Sequence, residues 1–109
     1  MRKVRYTAGA QSELQENYGK VVSLGDDGGS CALFLHKGHC YAVGSLCPHQ
    51  NASLQDAPLD EDGQVVCLRH GYRFDIKSGD CTTVGGYGLP TFETSVENGE
   101  IIVSVWEYD

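Results

Sequence analysis

Apolar residues along the chain cluster in short segments of three to seven residues, many of them β-branched or aromatic, separated by clusters of Gly, Asn, Asp and Ser. No stretch sustains the three-to-four-residue spacing of an amphipathic helix, so the pattern predicts strands joined by turns. The expected strands cover 3–7, 20–24, 31–36, 39–45, 64–67, 74–76, 91–97 and 100–106, with at most one helical turn at Ser12-Glu13-Leu14. Lys37-Gly38 is short enough to fix a hairpin register in which His36 faces His39 and Phe34 faces Tyr41. Asn98-Gly99, between two β-rich runs, gives the clearest hairpin of the chain. The fold class read from this pattern is all-β and antiparallel.

The stretch from Cys47 to Asp80 breaks the regular alternation of strand and turn and reads as an insertion, a subdomain of about 46–81. Within it, Leu54 is placed as an apolar plug beneath a first loop. The acidic turn Asp60-Glu61-Asp62-Gly63 feeds a short strand that leads to a second loop. Val84-Gly85-Gly86-Tyr87-Gly88-Leu89-Pro90 is glycine-rich, which marks close backbone approach. No helix start follows it, so it does not read as a phosphate cradle.

At 109 residues the chain has room for one domain, 1–109, with a modest core that a metal centre would help to stabilise. Eight basic and 15 acidic residues give a formal net charge of −7. That balance disfavours nucleic acid as a partner. No apolar run approaches the ~18 residues of a membrane span, and Met1 to Tyr6 lacks the apolar stretch of a secretory signal. A cytoplasmic location is expected, where a disulfide framework among the five cysteines is not. His36 and His39 read as exposed residues at a hairpin end, and Cys31 and Cys40 as packed or half-exposed thiols.

The chemistry concentrates in two pairs, Cys47-Pro48-His49 and Cys67-Leu68-Arg69-His70, with 17 residues between His49 and Cys67. Two thiolates and two imidazoles on two loops can close one tetrahedral ion, or hold a two-iron cluster with cysteines on one iron and histidines on the other. Structural zinc sites usually draw each half from one ligand type, as C-x2-4-C and H-x3-5-H. Here each half supplies one of each, which suits a site divided between two metal ions.

This order of ligands, with Gly71 after the second histidine and Tyr72-Arg73-Phe74-Asp75 following, resembles the Rieske iron–sulfur family over nearly the whole chain. The resemblance implies a small antiparallel β-sandwich or barrel with an inserted cluster-binding subdomain built as a three-stranded flap. It implies one [2Fe–2S] cluster per chain, with Cys47 and Cys67 on the inner iron and His49 and His70 on the outer one. Val84 to Pro90 would match the segment covering the cluster from a third side. Ala52 and Arg69 stand where the respiratory branch of the family has a clamping disulfide. Tyr72 and Phe74 stand where that branch has hydroxyl donors to sulfur. Without those donors the reduced state is less favoured, so the potential is expected near the Rieske floor of roughly −150 mV.

With all four protein ligand positions used, the resemblance implies an electron carrier and no catalytic residue. The expected partners are a flavin-dependent NAD(P)H reductase and a terminal oxygenase. The Rieske oxygenases carry a further domain with a second iron site, for which this chain has no room. The alternatives are the small subunit of an assimilatory nitrite reductase, which shares the fold, and a zinc-stabilised binding module.

Overall fold

The structure, a computed structural model, describes residues 2–24, 29–48, 52–69 and 71–107. Among these lie the strands β1 (Arg2–Ala10), β2 (Lys20–Ser23), β3 (Ser30–His36), β4 (His39–Gly44), β5 (Gln64–Val66), β6 (Arg73–Asp75), β7 (Thr91–Glu97) and β8 (Glu100–Glu107), with one 3-10 turn at Gln11–Glu13. Six form an antiparallel sheet in the order β1-β8-β7-β4-β3-β2; β5 and β6 pair separately. The all-β, antiparallel expectation holds.

β3 is the strand around which both cores form. Successive strand residues point to opposite faces, and Cys31, Ala32, Leu33 and Phe34 are all buried. Ala32 and Phe34 join one core, with Val43 of β4 and Val65 and Phe74 of the small sheet; Cys31 and Leu33 join the other, with Ala42, Ile101 and Val103. The register enforces this division, since Ala32 lies opposite Val43 and Leu33 opposite Ala42. A continuous apolar run therefore marks a strand covered on both faces. One face carries the small β5–β6 sheet and the other closes under the curl of the main sheet.

That curl has a local cause. The β1–β8 register slips between Thr7 and Gly9, where Gly9 takes φ 136°, and a bulge of this kind bends and twists its strand. As a result β1 and β2, at the two ends of the sheet order, come into contact without pairing. Both short hairpins follow the predicted turn chemistry: Lys37 and Gly38 take φ 51° and 82°, Asn98 and Gly99 φ 53° and 79°. His36 pairs with His39 and Phe34 with Tyr41, as the loop length dictates.

Two expectations need correction. Among the described residues the expected three-stranded flap is two strands, β5 and β6, flanked by single bridges from Leu59 to Val65 and from Phe74 to Cys81. Pro58 has no N–H to donate, so pairing along that side stops after isolated contacts. His36, expected at the surface, is only 9% exposed, while His39 is exposed. The turn of 60–63 covers the hairpin end, and the His36 ring packs where a side chain on Gly63 would stand, with Nε2 3.3 Å from that Cβ position.

Candidate metal centre

Two loops, one after β4 and one after β5, are closed by the same device. After β4, the Leu54 N–H donates to the Ser45 carbonyl at 2.9 Å, and the Cys47 N–H donates to the Ala52 carbonyl at 2.7 Å. After β5, the Cys67 N–H donates to the Tyr72 carbonyl at 2.8 Å, and the Gly71 N–H returns to the Cys67 carbonyl at 2.8 Å. In both loops the cysteine N–H reaches the carbonyl five residues on. Gly71 at φ 73° supplies the left-handed conformation that this second closure needs.

Closing the loops in this way turns both cysteines inward. Cys47 and Cys67 are each 1% exposed and belong to one core with Leu54, Val65 and Phe74. Leu54, expected as a plug, is fully buried, and Phe74 is also at 0%. The neighbours of the cysteines do the opposite: Leu46, just before Cys47, is 48% exposed, and Leu68, just after Cys67, is 68% exposed. His49 and His70 lie outside the described residues.

The glycine-rich segment lies against the second loop. Thr82 N–H donates to the Arg73 carbonyl at 2.8 Å, and Arg73 N–H donates to Thr83 Oγ1 at 3.0 Å. Cys81 N–H reaches the Tyr87 carbonyl at 3.2 Å, and Val84 N–H points at Cys81 Sγ at 3.4 Å. Tyr87 then meets Tyr72, with ring centroids 6.0 Å apart and planes tilted by 50°. The sequence singled out this segment for its glycines. It did not single out Thr82 and Thr83 as its anchors or Tyr72 as its contact, since no local pattern marks a pairing across 15 residues.

The remaining cysteines sit apart in character. Cys31 is fully buried in the second core and Cys40 is half-buried against it. Burial, and then the neighbouring Cys40, push the Cys31 thiol up to about 12; burial alone pushes Cys40 up to about 11. Both stay protonated at neutral pH and are poor nucleophiles or metal ligands.

Comparison with known proteins fits this geometry. A model of the Rieske [2Fe–2S] domain matches residues 4–93. The chain is 32% identical to the ferredoxin component of the alkene monooxygenase system of Xanthobacter autotrophicus over 71 residues, 65% of this chain and 58% of that protein. It is 34% identical to the 3-phenylpropionate/cinnamic acid dioxygenase ferredoxin subunit of Escherichia coli over 77 residues, 70% of this chain and 73% of that one. A solved structure described as an NADH-dependent nitrite reductase small subunit from Mycobacterium tuberculosis superposes with a TM-score of 0.89 at 25% identity, covering 99% of this chain and 100% of the other.

The chain belongs to the Rieske [2Fe–2S] domain family. Its cofactor is a Rieske-type [2Fe–2S] cluster. The described donor set fits that cofactor: two thiols on equivalently closed loops, both withdrawn from water into one core. No helix among the described residues is long and apolar enough to cross a membrane.

Proposed function

We propose that this chain is a soluble cytoplasmic ferredoxin that carries single electrons from a flavin-dependent NAD(P)H reductase to a terminal oxygenase. In this reading residues 1–109 form one domain with a cluster-binding subdomain over about 46–81. Cys47 and Cys67 ligate the inner iron and His49 and His70 the outer iron. The cluster, when bound, supplies one-electron exchange with no coordination position left for a substrate. The chain's own residues fix two backbone nooses, keep water from the two sulfurs, and leave an apolar margin around the loops for a partner to cover.

The observation that carries the proposal is that contrast between the buried cysteines and their exposed leucine neighbours. Isolated exposed apolar residues are ordinary. Here two leucines adjoin the two cysteines, and Val84, at 39% exposure, lies on the segment that packs beside the second loop; exposed apolar side chains so placed suit transient contact. Sequence similarity to two oxygenase ferredoxins at 32% and 34% identity favours an oxygenase partner. The likeness to the nitrite reductase small subunit, at 25% identity, is chiefly one of backbone and supports the second reading less.

Leu68→Glu tests the carrier reading. The visible spectrum should be unchanged, while electron transfer from a cognate reductase, followed by stopped flow, should slow about tenfold, the effect of ~1.4 kcal/mol on the encounter. A wild-type transfer rate would place the contact elsewhere.

Phe74→Tyr tests the ligand loops. Phe74 is wholly buried in the same core as Cys47 and Cys67, so a new hydroxyl there must bond to a neighbour or pay a desolvation penalty. A hydrogen bond to a cysteine sulfur favours the reduced state. The potential should rise by roughly 40–60 mV, the one-electron equivalent of about 1–1.4 kcal/mol. An unchanged potential with the cluster intact would show that the hydroxyl finds no sulfur.

A further inference from the structure

Charge is divided unevenly along the β5–β6 ladder. Val66 pairs with Arg73 at the end that meets the second cysteine loop, and Gln64 pairs with Asp75 at the other. The loop end carries Arg69 within the loop and Arg73 at its exit, both exposed. The far end carries Asp60, Glu61 and Asp62 in the turn before β5, with Asp75 and Asp80 at either side of the turn after β6. The same division runs through the sequence. None of the 15 acidic residues falls within 28–55, 63–74 or 81–92, the segments that hold both cysteine loops and the strip packed beside the second.

Elsewhere cations are neutralised in place: Lys3 pairs with Glu93, Arg5 with Glu97 and Lys20 with Glu13. Arg73 meets Asp60 only loosely. Its Nε stands 3.8 Å from Asp60 Oδ2, and its side chain stays 56% exposed. Asp60 Oδ1 is already taken by the N–H groups of Asp62 and Gln64. An exposed pair this long contributes little, so the guanidinium remains available to a second carboxylate. Arg69 enters no ion pair among the described residues, and its neighbour Leu68 is 68% exposed. The second loop thus offers an apolar side chain and two available guanidiniums, on a protein whose net charge is −7.

We propose that the protein docks its electron-transfer partner through this locally cationic, acid-free side, and that the partner's surface there carries carboxylates around an apolar centre. This rests on the carrier reading above and goes beyond it by fixing the partner's charge. Net charge alone argues the reverse, since an acidic protein attracts basic partners at long range. At ~0.15 M salt, however, the Debye length is only ~8 Å, well short of the molecule's 34 × 31 × 19 Å. A surface approaching the second loop therefore senses Arg69 and Arg73 before the carboxylates at the far end of the ladder. Guanidiniums suit carboxylates, because each can hold one through two parallel N–H donors. The acidic remainder of the protein repels the same partner and so leaves the loop side as the face presented.

The probes are two small oxidants of opposite charge, ferricyanide and hexaamminecobalt(III). Each takes one electron from the dithionite-reduced holoprotein, followed by stopped flow at about 0.1 M salt. Arg69→Glu should slow ferricyanide about fivefold and speed hexaamminecobalt(III) by a similar factor, and Arg73→Glu should act in the same direction. A change in potential moves both rates the same way, so the opposite responses separate local charge from driving force. Lys77→Glu, at an exposed position beyond the far end of β6, makes the same change in net charge and should alter either rate by less than about 1.5-fold. Oligoglutamate, standing in for the partner's carboxylates, should slow the ferricyanide reaction of the wild type, and oligolysine should not. Equal effects of Lys77→Glu and Arg69→Glu would overturn the proposal, since net charge would then govern the encounter. Slowing by oligolysine in place of oligoglutamate would overturn it too, marking the docking side as anionic. Both results leave the carrier reading intact, whereas a wild-type protein that holds no cluster would remove the reading on which the proposal rests.

Discussion

Cys67→Ser is expected to yield a protein without the wild-type visible spectrum and without electron-transfer activity. The Cys67 backbone closes its own loop through both N–H and C=O, so the loop can still form when the side chain changes. What is lost is a thiolate, the soft and readily ionised ligand that iron–sulfur sites require. The replacement hydroxyl would sit at a position now 1% exposed, in a core with Val65 and Phe74. Left without a partner there it costs about 1–3 kcal/mol, or roughly 5–15 °C in Tm for a domain of this size. Loss of cluster binding, which favours the folded state, lowers Tm further. Cys31→Ser is the control, since Cys31 is equally buried but in the other core. It should lose stability and keep the cluster. A Cys67→Ser protein with the wild-type spectrum and potential would contradict the assignment.

The second large effect is one of fold. Gly79 takes φ 82°, and a Cβ built there would stand 2.0 Å from the Leu89 carbonyl oxygen. The approach is backbone on backbone: Leu89 N–H donates to the Gly79 carbonyl, and Gly79 N–H donates to Asp75, each at 2.7 Å. Gly79→Ala must therefore break the junction that fixes both the end of β6 and the start of the segment carrying Leu89. With about 1–3 kcal/mol for the left-handed conformation and a further 1–3 for overpacking, the expected loss is about 3 kcal/mol or more. Gly38→Ala separates the two causes. Gly38 has the same φ of 82°, with nothing within 4 Å of its Cβ position, so it should lose only about 1–3 kcal/mol, the cost of the left-handed conformation. Equal unfolding midpoints for the two variants would show that the close approach at Leu89 carries no weight.

Much of this architecture could be read before the structure. Strand positions followed from residue type and turn chemistry, because Lys37-Gly38 and Asn98-Gly99 act within four residues of chain. The pair of cysteine–histidine motifs carried the cofactor for the same reason. What the sequence concealed was decided between distant segments. The burial of His36 depends on the turn of 60–63 folding over the hairpin end, and the hairpin's own sequence carries no trace of that contact. The continuous run in β3 was legible as a strand, but not as the divider of two cores, since that depends on which elements reach each face. Likewise, Cys47 and Cys67 share the same five-residue closure although their histidines follow at different spacings, so the equivalence lies in the backbone and not in the motif.

Metal content and spectrum of the purified chain, measured together, test the cluster assignment most directly. The protein should be coloured, with two iron atoms and two acid-labile sulfides per chain, as a [2Fe–2S] cofactor requires, and with visible sulfur-to-iron bands that change on uptake of one electron. His49→Cys and His70→Cys should alter those bands. A colourless protein that binds one zinc ion per chain and stays colourless after reconstitution with iron and sulfide would contradict that assignment.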